Sequence, residues 1–439
     1  SLLVLLFFSS CGNIYNKEKS VSISSMVVSA HPISSKIGTD ILKKGGNAAD
    51  ATVAVHFALA VVYPSAGNIG GGGFFVYRTN KGEYSSLDFR EKAPLSSSWN
   101  MYLDSNNKVI DGLSTDSHLA VGIPGSVDGM VNIHDKYGEL SWEELIQPSI
   151  DLASNGFVLT KLEADKLNNF NNGKGLINNN TEYYKLNYKE GDSLSLPNLA
   201  KTLIKIRDYK RSGFYSGEVA LMLIDQMKVN GGIINQQDLD DYKSIWRKPI
   251  ISTYKNFKVI SMGPPSSGGI LLSQMLKMAE KFPIRDYGFH NKNSIHLMTE
   301  IEKFSFADRA EHLGDPDFWK VPENQLLDSA YLMERLKYIS LDSVIPSSKV
   351  FAGKFNNLES NETTHFSIVD SKGNASAVTT TLNGSFGSGI VVSGAGFLLN
   401  NEMDDFSIQP GYPNIYGLVG GEANSIKPNK RMLSSMTPT

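Results

Sequence analysis

The sequence predicts an α+β protein built of stacked layers of sheet and helix. Alternating apolar and polar residues indicate strands near both ends of the 439-residue chain, at 21–29, 74–77, 366–370 and 375–383. Between about 118 and 248 the apolar residues recur with helical spacing instead. Strands at both ends with helices between them are typical of a layered α+β sandwich.

The first helices and the glycine run after them carry clear boundary signals. A helix at 34–44 is expected to end at a glycine pair, and Asn47 is expected to cap a second helix that has one apolar stripe and ends at Pro64. The run Gly70 to Gly73 lacks the Gly-Lys-Ser/Thr ending of a phosphate loop and precedes a strand. We therefore interpret it as a tight passage where only backbone fits.

Later elements are predicted in the same way. A strand is expected at 257–261, a helix at about 270–281, an amphipathic helix at 294–312 and a hairpin turn at 371–374. The predicted core face of the helix at 294–312 consists of Ile295, Met298, Ile301 and Phe304.

Composition and charge exclude several classes of protein. With 41% apolar and 20% charged residues, the chain has an ordinary globular composition and enough apolar residues for a large core. A net charge of −3 gives no electrostatic argument for nucleic acid as a partner. No apolar stretch reaches the roughly 18 residues of a membrane span. Cys11 is the single cysteine, so no internal disulfide can form.

Residues 1–20 are interpreted as a secretory signal and tether. Leu2 to Phe8 is a short apolar run followed by small residues, as in a signal-peptide core. Phe-Ser-Ser-Cys at Cys11 is similar to a bacterial lipoprotein cleavage box, although Phe8 stands where Leu is usual, and an ordinary secretory signal fits as well. We expect export to the bacterial periplasm or cell envelope, with Cys11 as the candidate lipidation site and the lipid anchor left open.

The boundary at Glu362–Thr363 has the pattern of an N-terminal nucleophile. A polar, turn-like stretch at 356–362 runs into Thr363 and Thr364, and a strand follows directly. Cleavage before Thr363 would free an α-amino group with a pKa of about 7.7–8.0, which can activate the threonine hydroxyl as a base. An isolated threonine pair would otherwise indicate only a β-branched strand opening.

The wider pattern closely resembles the γ-glutamyltranspeptidases, which are self-processing N-terminal nucleophile hydrolases. The resemblance extends from about Met26 to Thr439. The motifs that carry it are Thr363-Thr364-His365-Phe366-Ser367, Gly70-Gly71-Gly72-Gly73-Phe74, Asp88-Phe89-Arg90-Glu91, Pro264-Pro265-Ser266-Ser267-Gly268-Gly269, Thr381-Leu382-Asn383, Leu399-Asn400-Asn401-Glu402-Met403-Asp404-Asp405 and Pro428-Asn429-Lys430-Arg431. The resemblance implies a four-layer αββα sandwich. It also implies a large subunit at 21–362 and the N-terminal part of a small subunit at 363–439, which together form a heterodimer.

The resemblance also implies the chemistry. Thr363 would cleave the Glu362–Thr363 bond and then attack γ-glutamyl amides such as glutathione, without a cofactor or metal. Water or an acceptor amino acid or dipeptide would resolve the ester. Thr381 would orient the Thr363 hydroxyl, although a threonine within a strand also has a purely structural interpretation. His365 is interpreted as structural or related to processing.

Substrate binding is likewise implied by the resemblance. Arg90 would bind the substrate α-carboxylate, although an arginine flanked by acids is usually a surface ion pair. Glu402 and Asp405 would bind the α-ammonium group, and an alternative metal site there lacks histidine ligands and calcium-loop spacing. The remaining implied contacts are Asn383 at the same end of the substrate, Ser434 and Ser435 on its carboxylate, and Tyr416 in a lid at 410–421 that meets Asn383.

Three functions remain open at this point. The first is an exported glutathione hydrolase and γ-glutamyltransferase, which the pairing of Arg90 with Glu402 and Asp405 favours. The second is a cephalosporin-acylase-like amidase on the same scaffold. The third is a catalytically inactive surface lipoprotein, which is disfavoured by the joint presence of Thr363, Thr381, Asn383 and Arg90.

The sequence ends at Thr439, before the glycine pair that forms the oxyanion hole in this family. We therefore expect a C-terminally truncated fragment. The protein ending at Thr439 should not turn over γ-glutamyl-p-nitroanilide, since losing even one oxyanion donor lowers the rate about 10²–10³-fold. The product of the complete open reading frame should be active. Turnover by the 439-residue chain would contradict this expectation.

Overall fold

The computed structural model describes residues 24–172, 187–353, 364–409, 411–418 and 420–439. The predicted nucleophile Thr363, its cleavage partner Glu362, the signal segment with Cys11, and the subunit boundary at 362/363 lie outside the described residues.

The described residues form ten strands and fourteen α-helices. The strands are β1 (Met26–Val28), β2 (Gly72–Arg78), β3 (Tyr84–Asp88), β4 (Phe157–Val158), β5 (Ser193–Leu194), β6 (Ile245–Arg247), β7 (Ile250–Tyr254), β8 (Phe257–Ser261), β9 (Thr364–Val369) and β10 (Ala375–Thr381). The helices are α1 (Pro32–Lys43), α2 (Ala48–Val62), α3 (Ser126–Tyr137), α4 (Trp142–Asn155), α5 (Lys161–Asn172), α6 (Pro197–Tyr209), α7 (Ser212–Tyr215), α8 (Gly217–Val229), α9 (Gln236–Asp241), α10 (Gly268–Ala279), α11 (Ile284–Tyr287), α12 (Lys292–His312), α13 (Glu323–Leu326) and α14 (Ser329–Leu336).

A six-stranded sheet brings the two ends of the chain together. Its strand order is β1-β9-β10-β2-β3-β6, and every neighbouring pair is antiparallel. The hairpin β9–β10 lies at its centre, as the turn at 371–374 predicts. Within it, Thr364 is opposite Thr380, and Thr381 pairs with Gly72 of β2. The strand predicted at 21–29 is confirmed only as the shorter β1, since residues 24, 25 and 29 lie outside the strand and residues 21–23 are not described.

The layers stack in the order helix, sheet, sheet, helix. Helix α2 packs on one face of the six-stranded sheet, against β9 and β10. On the other face, Phe74 and Val76 of β2 form an apolar cluster with Met262, which directly follows β8. Helix α10 covers β7 and β8, and α12 packs on α10. The predicted αββα sandwich is therefore confirmed, with β7 and β8 as the second sheet layer in the described part of the chain.

Helix α2 begins where the sequence predicts, but its burial differs from the prediction. Asn47 and Asp50 form a reciprocal capping box at its N-terminus, and the helix ends one residue before Tyr63. The predicted single apolar stripe is wrong, since all fifteen residues of the helix are buried. The helix is enclosed because α1, α3, α4 and the sheet surround it. Its small and apolar side chains permit this.

The predicted core face of α12 is only half correct. Ile301 and Phe304 are buried, at 2% and 1% exposure, whereas Ile295 and Met298 are 53% and 52% exposed. Leu297 lies in the core instead, together with Ile301. Several helical faces of this 21-residue segment carry apolar residues, so periodicity alone could not select the buried face.

The glycine run is a passage where only backbone fits, as predicted. A Cβ atom on Gly71 would lie 2.1 Å from the Thr381 carbonyl oxygen, and one on Gly73 would lie 2.3 Å from that of Thr379. A Cβ on Gly70 would similarly meet the Leu398 carbonyl at 2.1 Å. Side chains at these positions would push β2 away from β10.

In the part of the chain that the structure describes, no helix combines the length and apolarity needed to cross a membrane.

The buried side chain of Asp370 fixes the central hairpin to helix α2. Its carboxylate accepts hydrogen bonds from the Ala48 backbone at the start of α2 (2.9 Å), and from the Lys372 and Asn374 backbone in the hairpin turn (2.9 Å each). The Asn374 side-chain amide donates a fourth at 2.7 Å. A carboxylate at a helix N-terminus is also favoured by the helix dipole. The two central strands and the central helix are thus joined by one side chain.

Replacing Asp370 should destabilise the protein, because it would leave several buried donors without an acceptor. We expect Asp370→Ala to lower the free energy of unfolding by about 3 kcal/mol, measured by urea denaturation. As the control, exposed Asp111→Ala should change it by less than about 0.5 kcal/mol. Equal effects of the two variants would contradict the anchoring role.

Candidate active site

The predicted binding residues come from four separate parts of the chain and meet in one place. Arg90 follows the end of β3, and Glu402 and Asp405 lie in a 3₁₀ turn at Glu402–Asp405. Ser434 and Ser435 lie in the C-terminal segment, whose backbone carbonyls at Met432 and Leu433 accept bonds from Arg90 at 3.4 Å each.

Arg90 is completely buried and is surrounded by carboxylates. One terminal nitrogen contacts Glu402, and the other donates to Asp405 at 2.5 Å. Glu91 lies 3.7 Å from the guanidinium. The surface-ion-pair interpretation of Arg90 is therefore wrong. An arginine can be buried here because its planar group meets two carboxylates and two carbonyls at once.

Three carboxyl groups surround one guanidinium in this pocket, so Arg90 cannot pair with all of them if they are ionised. Burial raises the pKa of Glu402 well above its usual range, despite the opposing effect of Arg90. Burial also raises the pKa of Glu91 to about 7 and that of Asp405 above its usual value. Among the described residues, neither oxygen of Glu91 nor Oε2 of Glu402 has a hydrogen-bond donor. The pocket is therefore suited to a cationic group.

The hydroxyl oxygens of Ser434 and Ser435 each accept a hydrogen bond, which leaves each hydroxyl proton available to a ligand. Oγ of Ser435 accepts from the guanidinium of Arg309 at 2.8 Å, and Oγ of Ser434 accepts from the backbone N–H of Met436 at 3.1 Å. A hydroxyl that accepts from a protein donor still has its own proton to give. The pair can therefore donate to an anionic group beside Arg90.

The loop from Pro264 to Ser267 supports these serines. The Ser267 backbone N–H and hydroxyl both donate to the Ser434 carbonyl, at 2.7 and 2.9 Å, and the Ser434 N–H donates to the Pro265 carbonyl at 2.9 Å. Ser267 also accepts from the buried Arg309 at 2.8 Å. The motif noted in the sequence without a role thus orients the carboxyl-terminal segment.

Thr381 and Asn383 lie at the end of β10, opposite the lid. Oγ1 of Thr381 accepts from the Asn383 backbone N–H at 2.8 Å, which leaves the Thr381 proton to donate. The Asn383 side-chain amide donates to the Asn401 carbonyl at 3.0 Å. Its buried Oδ1 has no donor in the described part of the chain. Oδ1 of Asn383 is therefore a further acceptor available to a ligand, in addition to the oxygens of Glu91 and Glu402.

The lid is closed over this end of the site. The Tyr416 hydroxyl donates to the Asn383 carbonyl at 2.8 Å, the contact expected from the resemblance. Asn414 donates to Asp405 at 3.0 Å, and the Ile415 backbone donates to Asp404 at 2.9 Å. The lid is thus bonded to the same acidic turn that contacts Arg90. Pro410, at its predicted start, is not described.

Strand β9 begins one residue after the predicted nucleophile. The ring of His365 lies within 2.9 Å of the Thr379 and Ser367 hydroxyls, so both nitrogens have neighbours within the hairpin. This agrees with a structural role for His365.

The sequence predicts no role for three residues that the structure places in the site. Glu91 adds the third carboxylate, Arg309 holds Ser435, and Asn401 both accepts from Asn383 and donates its side-chain amide to the Thr115 carbonyl at 3.0 Å. Glu91 and Asn401 lie within the motifs that carry the family resemblance, and this position in the sequence could have indicated their role. Arg309 has no comparable signal, since it lies on the amphipathic helix α12 and is brought to the site by packing.

The αββα layers, the buried cation among carboxylates and the lid define a layered amidohydrolase of the N-terminal nucleophile type. The γ-glutamyltranspeptidase family model matches residues 34–439, and the chain belongs to that family. The glutathione hydrolase proenzyme of Escherichia coli K12 is 46% identical over 420 residues, which cover 94% of this chain and 72% of that protein. The crystal structure of Helicobacter pylori γ-glutamyltranspeptidase superposes with a TM-score of 0.73 at 43% identity, covering 75% of this chain and 95% of that one.

Acylases share the scaffold at lower identity. An acylase ACY 1 proenzyme from Pseudomonas strain SE83 is 34% identical over 94% of this chain and 73% of its own length. The cephalosporin acylase of Bacillus halodurans matches with a TM-score of 0.82 at 24% identity, covering 98% of this chain and 78% of that one. That second likeness shows the fold alone.

The raised pKa of Glu91 predicts a specific pH dependence of stability. The carboxyl releases its proton near pH 4.5 when unfolded and near pH 7 when folded, so its contribution to the free energy of unfolding falls as the pH rises between these values. Glu91→Gln removes that fall. The stability of the variant relative to wild type should therefore increase from pH 5 to pH 7.5, by up to about 3 kcal/mol in urea denaturation. A difference that stays constant or decreases would contradict the assignment.

Proposed function

We propose that this protein is a self-processing γ-glutamyltransferase and glutathione hydrolase. The observation that carries the proposal is the buried cluster of Arg90, Glu402 and Asp405, with hydroxyl donors on one side and free acceptors on the other. An α-amino acid carries a carboxylate and an ammonium group on one carbon, and this cluster offers a partner of opposite charge for each.

Each end of the zwitterion has its own set of partners. The substrate carboxylate receives hydrogen bonds from Arg90, Ser434 and Ser435, and its ammonium group donates to Glu402, Asp405 and Asn383. Arg90 forms ion pairs with Glu402 and Asp405 across short contacts. Substrate replaces these contacts with equivalent ones of the same charge, so that the buried ions remain paired.

Thr363 carries out the covalent chemistry. In the precursor its hydroxyl attacks the carbonyl of Glu362, the acyl group moves from nitrogen to oxygen, and water cleaves the ester, leaving Thr363 with a free α-amine. That amine takes the hydroxyl proton when the same oxygen attacks the γ-amide of the substrate. The γ-glutamyl ester forms and the amine, such as cysteinylglycine, leaves with a proton. Water or an acceptor amino acid or dipeptide then attacks the ester.

Neighbouring groups prepare this step. Thr381 donates to the Thr363 hydroxyl and orients it, since its own oxygen already accepts from Asn383. Tyr416 and the lid exclude water while the ester is formed. Cleavage would divide the chain into a large subunit at 21–362 and a small subunit beginning at 363. Residues 1–20 would direct export to the periplasm or cell envelope, and Cys11 is the lipidation site if the leader is a lipoprotein signal.

The acylase alternative differs in the ammonium site. An amidase for side chains without an α-amino group gains nothing from buried acceptors at Glu402 and Asn383. The inactive-lipoprotein alternative gives no reason for the Thr381 hydroxyl to keep its proton available for a further hydrogen bond.

The processing step gives a direct test in the protein expressed from its natural gene. Intact-mass analysis should find two polypeptides divided before Thr363, whereas Thr363→Ala should remain one uncut chain because its side chain has no nucleophile. Purified wild type should then release p-nitroaniline from γ-glutamyl-p-nitroanilide, and faster with glycylglycine present. An uncut wild-type chain contradicts self-processing. Preference for acyl groups without an α-amine favours the acylase.

A further inference from the structure

A groove of about 720 Å³ opens between helix α5 and the end of strand β10. Its inner wall includes Thr381 and Asn383, and Tyr416 of the lid lies at its edge. Tyr63 and Lys166 belong to the opposite wall, with Asn169 and Phe170. Thr381 lies on its wall, and the proposed function assigns this residue to orienting the Thr363 hydroxyl, so we expect the departing amine to enter this groove.

Lys166 is the only charged side chain among the described residues that line the groove. It is half-buried, and its ammonium lies 5.0 Å from the centre of the Tyr63 ring and 3.5 Å from the Tyr63 hydroxyl. In the described part of the chain, no carboxylate lies within 4.0 Å of it.

The neighbouring acid that could neutralise Lys166 is already fully engaged. Glu163, one helical turn earlier, contacts the His31 ring at 2.6 Å and accepts from the Thr160 backbone and hydroxyl at 2.7 and 2.8 Å. On the same helix, Lys161 does pair with Asp165, at 2.7 Å. Among the described residues, Lys161 of α5 therefore has an acidic partner at the i,i+4 position, whereas Lys166 has none.

The expected occupants of the groove carry a complementary charge. The amine that leaves glutathione is a dipeptide with a free carboxylate, and acceptor amino acids and dipeptides carry the same group. Arg90 and the serines hold the carboxylate of the γ-glutamyl part elsewhere, so they do not serve this second anion. A half-buried ammonium over an aromatic ring is a suitable partner for it.

We propose that Lys166 binds the carboxylate of the leaving dipeptide and of the acceptor, and so selects acceptors with a free carboxyl terminus. This inference rests on the proposed transferase function. It assigns the groove as the binding site of the leaving dipeptide and of the acceptor. Lys166 contacts the acceptor and takes no part in the bond that forms or breaks.

The test compares glycylglycine with glycylglycinamide as acceptors, with γ-glutamyl-p-nitroanilide as the donor. In the protein expressed from its natural gene, glycylglycine should have the lower KM. Lys166→Met should raise the KM for glycylglycine about tenfold, the effect expected for one hydrogen bond to a charged group. The KM for the amide should change less than about twofold, so that the preference disappears. Lys166→Glu should invert it.

Lys161→Met is the matched control, because it removes a lysine from the same helix but not from the groove. It should leave both KM values at those of wild type. Equal changes for the acid and the amide in Lys166→Met, or no change in either, would overturn the assignment of Lys166 alone. Absence of any donor turnover in correctly folded wild type would overturn the proposed function and this inference together.

Discussion

The buried contact of Arg90 with Glu402 and Asp405 is the interaction on which the arrangement of the site depends. It joins the end of strand β3 to a 3₁₀ turn 312 positions further along the chain. Removing one partner of a buried ion pair typically costs about 3–5 kcal/mol, since the other charge stays buried without compensation. The lid is bonded to the same turn through Asp405 and Asp404. Substrate recognition and lid position are therefore mechanically linked.

A second constraint, set by the backbone, fixes the position of the hairpin β9–β10. Strand β2 approaches β10 closely enough that Gly71 and Gly73 leave no space for a Cβ atom. Asp370 fixes the far end of the hairpin to helix α2 through the start of that helix. The hairpin is held at both ends, so Thr364 and Thr381 have little freedom relative to the binding pocket.

Much of the fold could be predicted because its signals are local. The capping box of α2, the strand Phe257–Ser261 and the turn between β9 and β10 depend on residues within a few positions of one another. Predictions of which face is buried were less successful. On α12, Ile295 and Met298 have the right spacing but lie on the solvent side. Which face of a helix is buried depends on elements that are distant in the chain. The residues of the helix alone therefore do not specify it.

The sequence by itself predicted the kind of chemistry: a threonine after a polar stretch, an arginine within an acidic motif, and serines and a lid further along the chain. Only the tertiary structure decided how these groups act on one another. It completely buried Arg90, added Glu91 as a third carboxylate and directed Arg309 at Ser435. It also bonded Glu163 to His31, so that no carboxylate of the described residues pairs with Lys166. The physical reason is that protonation and pairing depend on burial and on neighbours in space. Both are set by contacts between residues that the chain itself keeps far apart.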